Sequence, residues 1–293
     1  MTRAGIVTAV GRPNAGKSTF LNAVVGEKLS ITSPKPQSTR QRVVGIHSTG
    51  DAQLVILDTP GLLNPEYALQ KTMRAAALRA LADADVIAYL IDATTDDTAS
   101  LEEAASLTAP PRASVLTLLN KADRLNRAQR ALLSLRWPNA HFISALRGEG
   151  IAAAVAEIVS RLPESPFLYG AEDISTQSLR FHASELVRET ALEQLGDEIP
   201  YSIACVIEEF HEDRDPVYIR AVVYVERESQ KRIVIGAGGT RIRAIGKSAR
   251  EKIEHLIGSR VYLDLWLKVQ ANWRKDEAAL SRFGYRMTED RTL

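Results

Sequence analysis

One short stretch near the start of the chain constrains the fold more than any other feature. Residues Gly11–Ser18 read G-R-P-N-A-G-K-S, which matches the phosphate-binding pattern G-x-x-x-x-G-K-[ST]. An apolar run precedes the stretch and a helical pattern follows it, so it joins a strand to a helix. Glycines let the loop curl until its N–H groups face phosphate oxygens, and the helix presents its positive N-terminus to the same anion. The sequence therefore predicts a nucleoside triphosphate site here.

Single side chains of this loop have separate predicted roles. Lys17 is expected to reach the β- and γ-phosphates, and the Ser18 hydroxyl is expected to ligate Mg²⁺. A glycine turn without any ligand is the alternative, and the strand–loop–helix context disfavours it. The residues predicted to bind the nucleotide in this loop are Gly11, Asn14, Ala15, Gly16, Lys17, Ser18 and Thr19.

Short apolar runs alternate with helical patterns over the first half of the chain. This alternation predicts an α/β domain with a mainly parallel sheet and helices on both faces. The stretch Pro163–Gly170 contains two prolines and a glycine and indicates a domain boundary. We therefore place the nucleotide-binding domain at residues 1–168 and a linker at 169–178. The predicted strands are Gly5–Val10, Gln53–Leu57, Val86–Ile91, Ser114–Leu119 and His141–Ile143, and the predicted helices include Ser18–Val25, Leu69–Leu81, Leu101–Leu107 and Ile151–Leu162.

Three further motifs follow predicted strands, at the edge where ligands bind in open α/β sheets. In Asp58–Gly61 (D-T-P-G), the aspartate is expected in the Mg²⁺ shell and the glycine N–H at the γ-phosphate. In Asn120–Asp123 (N-K-A-D), the aspartate can accept hydrogen bonds from guanine N1–H and its amine, which adenine does not offer. Ser144–Leu146 (S-A-L) resembles a base-supporting motif. The predicted contacts are completed by Asp58, Thr59, Pro60, Gly61, Asn120, Lys121, Asp123, Ser144, Ala145 and Leu146.

A polar, proline-containing segment, Ser30–Arg42, lies between the first two motifs and has no periodicity. It is predicted to be a mobile switch. Thr39 is the candidate threonine for Mg²⁺ and the γ-phosphate, with Thr32 and Ser38 as rivals. The predicted catalytic residues are Lys17, Thr39 and Gly61, and the predicted metal ligands are Ser18, Thr39 and Asp58.

One expected catalytic group is replaced in this sequence. Leu62 follows the D-T-P-G motif, where many GTPases have the glutamine that orients the attacking water. We therefore expect slow intrinsic hydrolysis of GTP to GDP and phosphate, accelerated by a partner, an RNA or a rearranged switch.

Residues 179–293 have a different order of predicted strands and helices, which indicates an α+β domain. Consecutive strands without a crossover helix mean that this part does not continue the first sheet. The order of elements matches a type II KH domain followed by one extra helix. The predicted elements are a helix at about Leu179–Leu195, strands Ser202–Glu209 and Val217–Arg227, a basic helix–turn–helix over Lys231–Ile257, a strand Val261–Val269 and a helix Asn272–Phe283.

A second glycine-rich turn, Gly236–Gly239 (G-A-G-G), joins the two basic helices. In KH domains a G-x-x-G loop clamps the backbone of about four nucleotides. Eight Lys or Arg against two acidic residues give 227–252 a net charge of +6. A plain connection with a solvated basic face is the alternative. In the strand that follows, Tyr262 and Trp266 are expected in the core. The predicted RNA contacts are Arg232, Gly236, Ala237, Gly238, Gly239, Arg241, Arg243 and Lys247.

Composition excludes several other classes of protein. The single cysteine, Cys205, leaves no internal disulfide and no cysteine-based metal cluster. No apolar run approaches the roughly 20 residues that a membrane-spanning helix needs. The N-terminal run Ala4–Val10 leads straight into the glycine loop and lacks a cleavage site, so a cytoplasmic location is expected.

Taken together, the chain resembles the Era family of bacterial GTPases over its full length. The resemblance implies Mg²⁺-dependent GTP hydrolysis assisted by RNA, with the KH domain binding the single-stranded 3′ end of small-subunit (16S) rRNA. It also implies a role in assembly of the 30S ribosomal subunit and a loose peripheral contact with the inner membrane face. A monomer is expected. The residues that carry the resemblance are Gly11–Ser18, Pro36–Arg40, Asp58–Gly61, Asn120–Asp123, Ser144–Leu146, Ile235–Gly239 and Val261–Val269.

Two alternatives differ from this interpretation in class. One is an RNA-binding chaperone whose nucleotide domain is largely structural. The other is a GTPase of tRNA modification or of the large ribosomal subunit, which shares the first domain but lacks the KH domain.

Overall fold

The computed structural model describes residues 1–96, 99–196 and 199–285. The chain divides into two compact units, each with its own sheet. The first contains Met1–Glu66 and Gln70–Thr176, and the second contains Tyr67–Leu69 and the chain from Gln177 onward. Residues 286–293 of the predicted 179–293 domain lie outside the described part.

Up to residue 161 strands alternate with helices, as the sequence predicts, except that the second and third strands follow one another directly. The strands are β1 (Arg3–Val10), β2 (Val43–Ser48), β3 (Ala52–Asp58), β4 (Val86–Asp92), β5 (Ser114–Asn120) and β6 (His141–Phe142). The helices are α1 (Lys17–Val25), α2 (Ala68–Ala82), α3 (Leu101–Ala105), α4 (Arg127–Arg136) and α5 (Ile151–Arg161).

The six strands form one sheet in the order β2-β3-β1-β4-β5-β6. Every neighbouring pair is parallel except β2 and β3, which are antiparallel. The carboxyl ends of β1, β3, β4 and β5 therefore meet at one edge, and β2 begins there because Val43 pairs with Asp58. This arrangement confirms the predicted mainly parallel α/β fold, and it brings four separate loops together at that edge.

Two elements of the first unit escaped the sequence analysis. The edge strand β2 follows the polar switch segment without a turn signal between them. Helix α4 has no fully buried residue, and its contact with the core is through the half-buried Leu133. Its start is instead marked by a capping box, in which Asn126 Oδ1 accepts from the Gln129 N–H and Gln129 Oε1 accepts from the Asn126 N–H, both at 2.9 Å.

The segment after α5, part of which was predicted as a linker, lies along the first unit. The fully buried Gln53 side chain accepts from the N–H groups of Leu168 at 2.7 Å and Tyr169 at 2.9 Å. Further along, Ile46 N–H donates to the Ile174 carbonyl at 2.9 Å, and Ser175 Oγ donates to the Val44 carbonyl at 2.7 Å. The segment thus satisfies polar groups along the edge strand β2, which would otherwise be open to pairing with another chain.

The second unit contains a three-stranded sheet with helices packed on one face. Its order β7-β8-β9 combines an antiparallel pair, β7 with β8, and a parallel pair, β8 with β9. The parallel pair needs a crossover, which α7 and α8 provide. The elements are α6 (Leu179–Gln194), β7 (Ala204–His211), β8 (Val217–Val225), α7 (Glu228–Ile235), α8 (Thr240–Ile257), β9 (Val261–Val269) and α9 (Glu277–Arg282). This order confirms the predicted KH arrangement with one extra helix.

The core of the second unit follows the strand period of two. Ile219, Ala221 and Val223 of β8 are buried against Ile245 and Ala249 of α8. In β9 the residues that pack against the same cluster are the odd-numbered ones from 261 to 269. The expectation that Tyr262 and Trp266 belong to the core is wrong, because these side chains are 58% and 52% exposed. They occupy the other face of the strand, where Tyr262 stacks on Tyr218 with ring centroids 5.8 Å apart.

Among the helices within the described ranges, none combines the length and apolar character that crossing a bilayer requires.

Candidate functional site

A cleft of about 440 Å³ lies at the carboxyl edge of the six-stranded sheet, and all four motifs reach it. Most of the predicted nucleotide contacts line its walls directly. These are Asn14, Gly16, Lys17, Ser18, Thr19, Gly61, Asn120, Lys121, Asp123, Ser144 and Leu146, together with Thr39 of the switch segment. The other predicted residues are buried behind the walls, namely Gly11, Ala15, Asp58, Thr59, Pro60 and Ala145.

Lys17 is held on the carbonyl groups of its own loop. Its Nζ donates to the Gly11 carbonyl at 3.2 Å and to the Arg12 carbonyl at 3.1 Å. Burial lowers the pKa of Lys17 from 10.5 to about 8, and the nearby Asp58 carboxylate opposes that effect. Because burial leaves the ammonium poorly solvated, the negative charge of an incoming phosphate would stabilise it.

Three hydroxyl groups converge on one oxygen of Asp58. Its Oδ2 accepts from Ser18 Oγ at 2.7 Å, Ser30 Oγ at 2.5 Å and Thr39 Oγ1 at 3.2 Å. The Ser18 and Thr39 hydroxyl oxygens are themselves 2.8 Å apart. Burial raises the pKa of Asp58, while the charge of Lys17 and the three hydroxyl donors lower it.

The same cluster fits a magnesium ion. Asp58 Oδ1 is buried and has no hydrogen-bond partner among the described residues. Mg²⁺ prefers hard oxygen donors, and one or two protein groups commonly hold it together with substrate phosphates and water. A free carboxylate oxygen beside two hydroxyls of the cleft wall supplies such donors. The three candidate switch residues, Thr32, Ser38 and Thr39, all line the cleft, and the Thr39 hydroxyl belongs to this cluster.

Asn120 joins two loops of the cleft, Gly11–Ser18 and Ser144–Leu146. Its Nδ2 donates to the Ala15 carbonyl at 2.8 Å, and its Oδ1 accepts from the Ala145 N–H at 3.0 Å. The fit is close, because a Cβ at Gly16 would overlap the Asn120 side chain. Glycine is therefore required at position 16 for steric reasons.

Asp123 lies ionised at the far end of the cleft. A hydrogen bond from Ser144 holds the pKa of this carboxyl below its usual value, and Arg147, whose Nε is 3.5 Å from Oδ2, acts in the same direction. Arg147 is 62% exposed, so a base that donates to Asp123 can displace it. The carboxylate can therefore select a ligand with two adjacent donors, as guanine has.

Leu62 does not face the cleft. Its side chain is 3% exposed and packs in a cluster with Ala77 and Tyr89, while its N–H donates to the Gly11 carbonyl at 3.0 Å. The residue after the D-T-P-G motif is therefore part of the hydrophobic core and does not line the cleft.

Sequence reasoning missed two residues of the site. Ser30 lies in the predicted switch segment, which contains several serines and threonines. Their positions in the sequence do not show which hydroxyl contacts Asp58. Asp92 is the last residue of β4, and its Oδ2 accepts from Lys121 Nζ at 2.5 Å. A carboxylate ending an apolar strand at the ligand-binding edge is the same signal that marks Asp58, so Asp92 was open to prediction.

The glycine turn of the second unit, Gly236–Gly239, has a backbone that suits glycine. Gly236, Gly238 and Gly239 have φ values of 71°, 56° and 78°, which side-chain-bearing residues rarely adopt. Two arginines brace the turn, since Arg241 Nη1 donates to the Ile233 carbonyl at 2.9 Å and Arg243 Nη2 to the Gly238 carbonyl at 2.7 Å. Ala237 is exposed at its tip. The two helices that the turn joins carry four exposed cations, Arg232 in α7 and Arg241, Arg243 and Lys247 in α8.

Comparisons with known proteins match both units. A family model described as 50S ribosome-binding GTPase matches residues 6–121, and a KH domain model matches residues 198–274. A protein named GTPase Era from Ectopseudomonas mendocina is 42% identical over 97% of this chain and 98% of its own length. GTPase Era from Azotobacter vinelandii is 42% identical over 97% of each chain.

Solved structures agree with these relatives. A variant of Aquifex aeolicus Era bound to GDP·AlF₄⁻ superimposes with a TM-score of 0.91 at 36% identity, covering 98% of this chain and 100% of that one. A structure of Era in complex with MgGDPNP and nucleotides 1506–1542 of 16S ribosomal RNA gives a TM-score of 0.91 at 37% identity, with the same coverage. These matches confirm the predicted P-loop GTPase domain and KH domain.

Proposed function

The chain belongs to the Era family of GTPases and is a GTP-hydrolysing enzyme, and we propose that it couples this hydrolysis to binding of small-subunit rRNA. The observation that supports the proposal is the presence, in one chain, of a cleft that all four nucleotide motifs reach and of a glycine turn that two arginines brace between basic helices. We assign nucleotide chemistry to residues 1–168 and RNA binding to residues 179–293, with 169–178 connecting them.

Different residues of the cleft are proposed to contact different parts of the nucleotide. Phosphate oxygens would replace the Gly11 and Arg12 carbonyls as partners of Lys17 Nζ. Guanine N1–H and its amine would replace Arg147 at the Asp123 carboxylate. Mg²⁺, when bound through Ser18, Thr39 and Asp58, would neutralise charge on the β- and γ-phosphates. The Gly61 N–H, at the cleft wall, would report the γ-phosphate.

Hydrolysis is proposed to be slow when the protein is alone. Leu62 is packed in the core and cannot orient the attacking water, so this step depends on ordering by a partner or by the switch segment. We expect a kcat below about 1 s⁻¹ without a partner, under the range of ordinary enzymes.

RNA binding is assigned to the glycine turn. Positive φ at three glycines keeps the backbone open to close approach by phosphates, and the four exposed cations supply attraction. Because a relative of 37% identity is known in complex with 16S rRNA nucleotides, we propose single-stranded RNA near the 3′ end of that rRNA as the ligand. Assembly of the 30S subunit is the process in which such binding would act.

The alternatives are disfavoured by particular residues. A chaperone with a merely structural nucleotide domain has no need for Lys17, Asp58 and Asp123 in a connected cleft. A GTPase of the large subunit matches the description of the first domain's family model, but the KH unit separates this chain from that class. The cytoplasmic location and the monomeric state stay predictions from the sequence, and the peripheral membrane contact stays a prediction from the resemblance.

The test is crosslinking to a 16S 3′ RNA together with GTP turnover. We expect Lys17→Ala to lose turnover and keep the crosslink, and Gly239→Asp to lose the crosslink and keep turnover. Gly258→Asp is the matched control, since Gly258 also has a positive φ, of 72°, but ends α8 away from the turn. A crosslink that survives in Gly239→Asp would remove the turn from the RNA site.

A further inference from the structure

The segment that leaves α1 is fixed at Ser30 by one side chain of that helix. Asn22 Oδ1 accepts from the Leu29 N–H at 3.0 Å and from the Ser30 N–H at 2.9 Å. Asn22 Nδ2 donates to the Ser30 carbonyl at 2.9 Å. Both backbone polar groups of Ser30 are therefore held by α1, the helix that begins at the phosphate loop.

The side chain of Ser30 is fixed as well. Its hydroxyl donates to Asp58 Oδ2 at 2.5 Å, and the residue is 2% exposed. Of the three hydroxyls on this oxygen, those of Ser18 and Thr39 also border the cleft, where a nucleotide and its metal would engage them. Ser30 does not border the cleft, so its bond to Asp58 needs no rearrangement when nucleotide binds.

We propose that Ser30 is a positioning residue that fixes the Asp58 carboxylate in every nucleotide state. The Asn22–Ser30 pair is then the stationary end of the switch segment, and the part that rearranges lies beyond Ser30. The inference rests on the proposed function, because it assumes that Asp58 helps to hold Mg²⁺. It adds a hydroxyl that touches neither metal nor nucleotide but determines where the carboxylate points.

The expected consequence is selective for the metal. Without the Ser30 hydroxyl, Asp58 loses a donor that stays in place when Ser18 and Thr39 turn to the ligand. The carboxylate is then free to rotate, so Mg²⁺ binds less well while the contacts of Lys17 and Asp123 with the nucleotide persist. Hydrogen bonds to charged groups are strong enough that removing this one should weaken Mg²⁺ binding by about tenfold or more.

The test measures release of a fluorescent GDP analogue while free Mg²⁺ is titrated. We expect Ser30→Ala to raise the Mg²⁺ concentration that half-slows release by about tenfold or more, with little change in release when EDTA removes the metal. Asn22→Ala should act in the same direction although it does not touch Asp58. The double variant should be no worse than the more affected single variant, which a general loss of stability would not produce.

Ser202→Ala is the matched control. Ser202 is also a fully buried serine, and its hydroxyl donates to the Ile199 carbonyl at 2.8 Å in the second unit. Its loss should leave the Mg²⁺ titration unchanged. An unchanged titration in Ser30→Ala would overturn the inference alone, whereas release that is insensitive to Mg²⁺ in the wild type would overturn the proposed metal function.

A measurement on the wild type covers the case in which Ser30→Ala does not fold. Hydrogen exchange at the Leu29 and Ser30 amides should be equally slow without nucleotide, with GDP and with a GTP analogue. Amides later in the switch segment should change between these states. Faster exchange at Leu29 and Ser30 in any one state would overturn the proposal.

Discussion

The side-chain amide of Asn120 donates to the carbonyl oxygen of Ala15 at 2.8 Å, which fixes the phosphate loop to the end of β5. The oxygen of the same amide accepts from the Ala145 N–H at 3.0 Å. Because the amide is planar and rigid, its two ends cannot move independently. The loop Gly11–Ser18 and the loop Ser144–Leu146 are thus held together by one side chain, although their residues are far apart in the chain.

Asn120→Ala tests this bridge. The change leaves the Ala15 carbonyl and the Ala145 N–H buried without this partner, which should lower the free energy of unfolding by about 1–3 kcal/mol. GDP affinity, measured by calorimetry, should fall at least about tenfold. Asn126→Ala is the control, since loss of that helix cap costs about 1 kcal/mol of stability and should leave GDP affinity intact. Equal affinities in both variants would contradict the bridge.

Asp123→Asn should change which base is preferred. An amide in place of the carboxylate offers a donor where guanine presents donors, so GTP loses its match and xanthosine triphosphate gains one. Competition binding should show preference moving toward xanthosine triphosphate by orders of magnitude. Arg147→Ala removes the ion pair but keeps the carboxylate, so it should still prefer GTP. Guanine selectivity that survives in Asp123→Asn would remove this residue from the base site.

Lys17 should take up a proton when nucleotide binds in mildly alkaline solution. Its pKa of about 8 in the nucleotide-free cleft leaves part of it neutral at about pH 8.5, and phosphate oxygens would raise that pKa. Calorimetry of GDP binding in buffers of different ionisation enthalpy should detect the uptake at pH 8.5 and little of it at pH 6.5. The Lys17→Met variant should lack the additional uptake that the wild type shows at pH 8.5. Uptake that is equal at both pH values in the wild type would refute the assignment.

The same pKa has a consequence for stability. A lysine whose pKa is lower in the folded than in the unfolded state binds fewer protons when folded, so its contribution to stability rises with pH above about 8. In the nucleotide-free protein, Lys17→Met should therefore be most stabilised relative to wild type below about pH 8. This gain in unfolding free energy should shrink as the pH rises above that value. A difference between the two proteins that does not vary with pH would contradict this linkage.

Leu62→Gln should destabilise the protein without accelerating hydrolysis. The Leu62 side chain is buried among apolar residues, so a glutamine there would bury an amide without partners at a cost of about 1–3 kcal/mol. Thermal unfolding should move to lower temperature, and single-turnover GTP hydrolysis should not rise. A clear increase in rate would mean that the segment can turn toward the cleft.

The nucleotide site was largely predictable because parallel strands gather their carboxyl ends at one edge. Motifs that follow separate strands, such as those at Asp58 and Asn120, therefore had to meet. The roles of Ser30 and Asn22 were not predictable, since they depend on how an aperiodic segment folds back onto α1. The hydrogen bonds that Gln53 makes with the segment after α5 were hidden for the same reason.

The errors in the second unit have a different cause. In β9 the odd-numbered residues are all aliphatic, whereas the even-numbered ones include Asp264 and Lys268. The period of two therefore indicated which set faces the helices, and the expectation for Tyr262 and Trp266 failed because it rested on their aromatic character alone. The structure assigns the aliphatic set to the core and leaves Tyr262 and Trp266 exposed. In the first unit, α4 was missed because none of its residues is fully buried and only Leu133 of the helix is among the half-buried residues that pack against the core, so the capping box is its clearest mark.

The most direct test of the account is the GTP hydrolysis rate with and without RNA from the 3′ end of 16S rRNA. We predict a slow rate alone and a several-fold higher rate with the RNA, absent in Lys17→Ala at all RNA concentrations. Gly239→Asp should keep the slow rate and lose the response, while Gly258→Asp should retain both. A rate that stays the same when wild-type protein is saturated with this RNA would contradict the coupling of the two units.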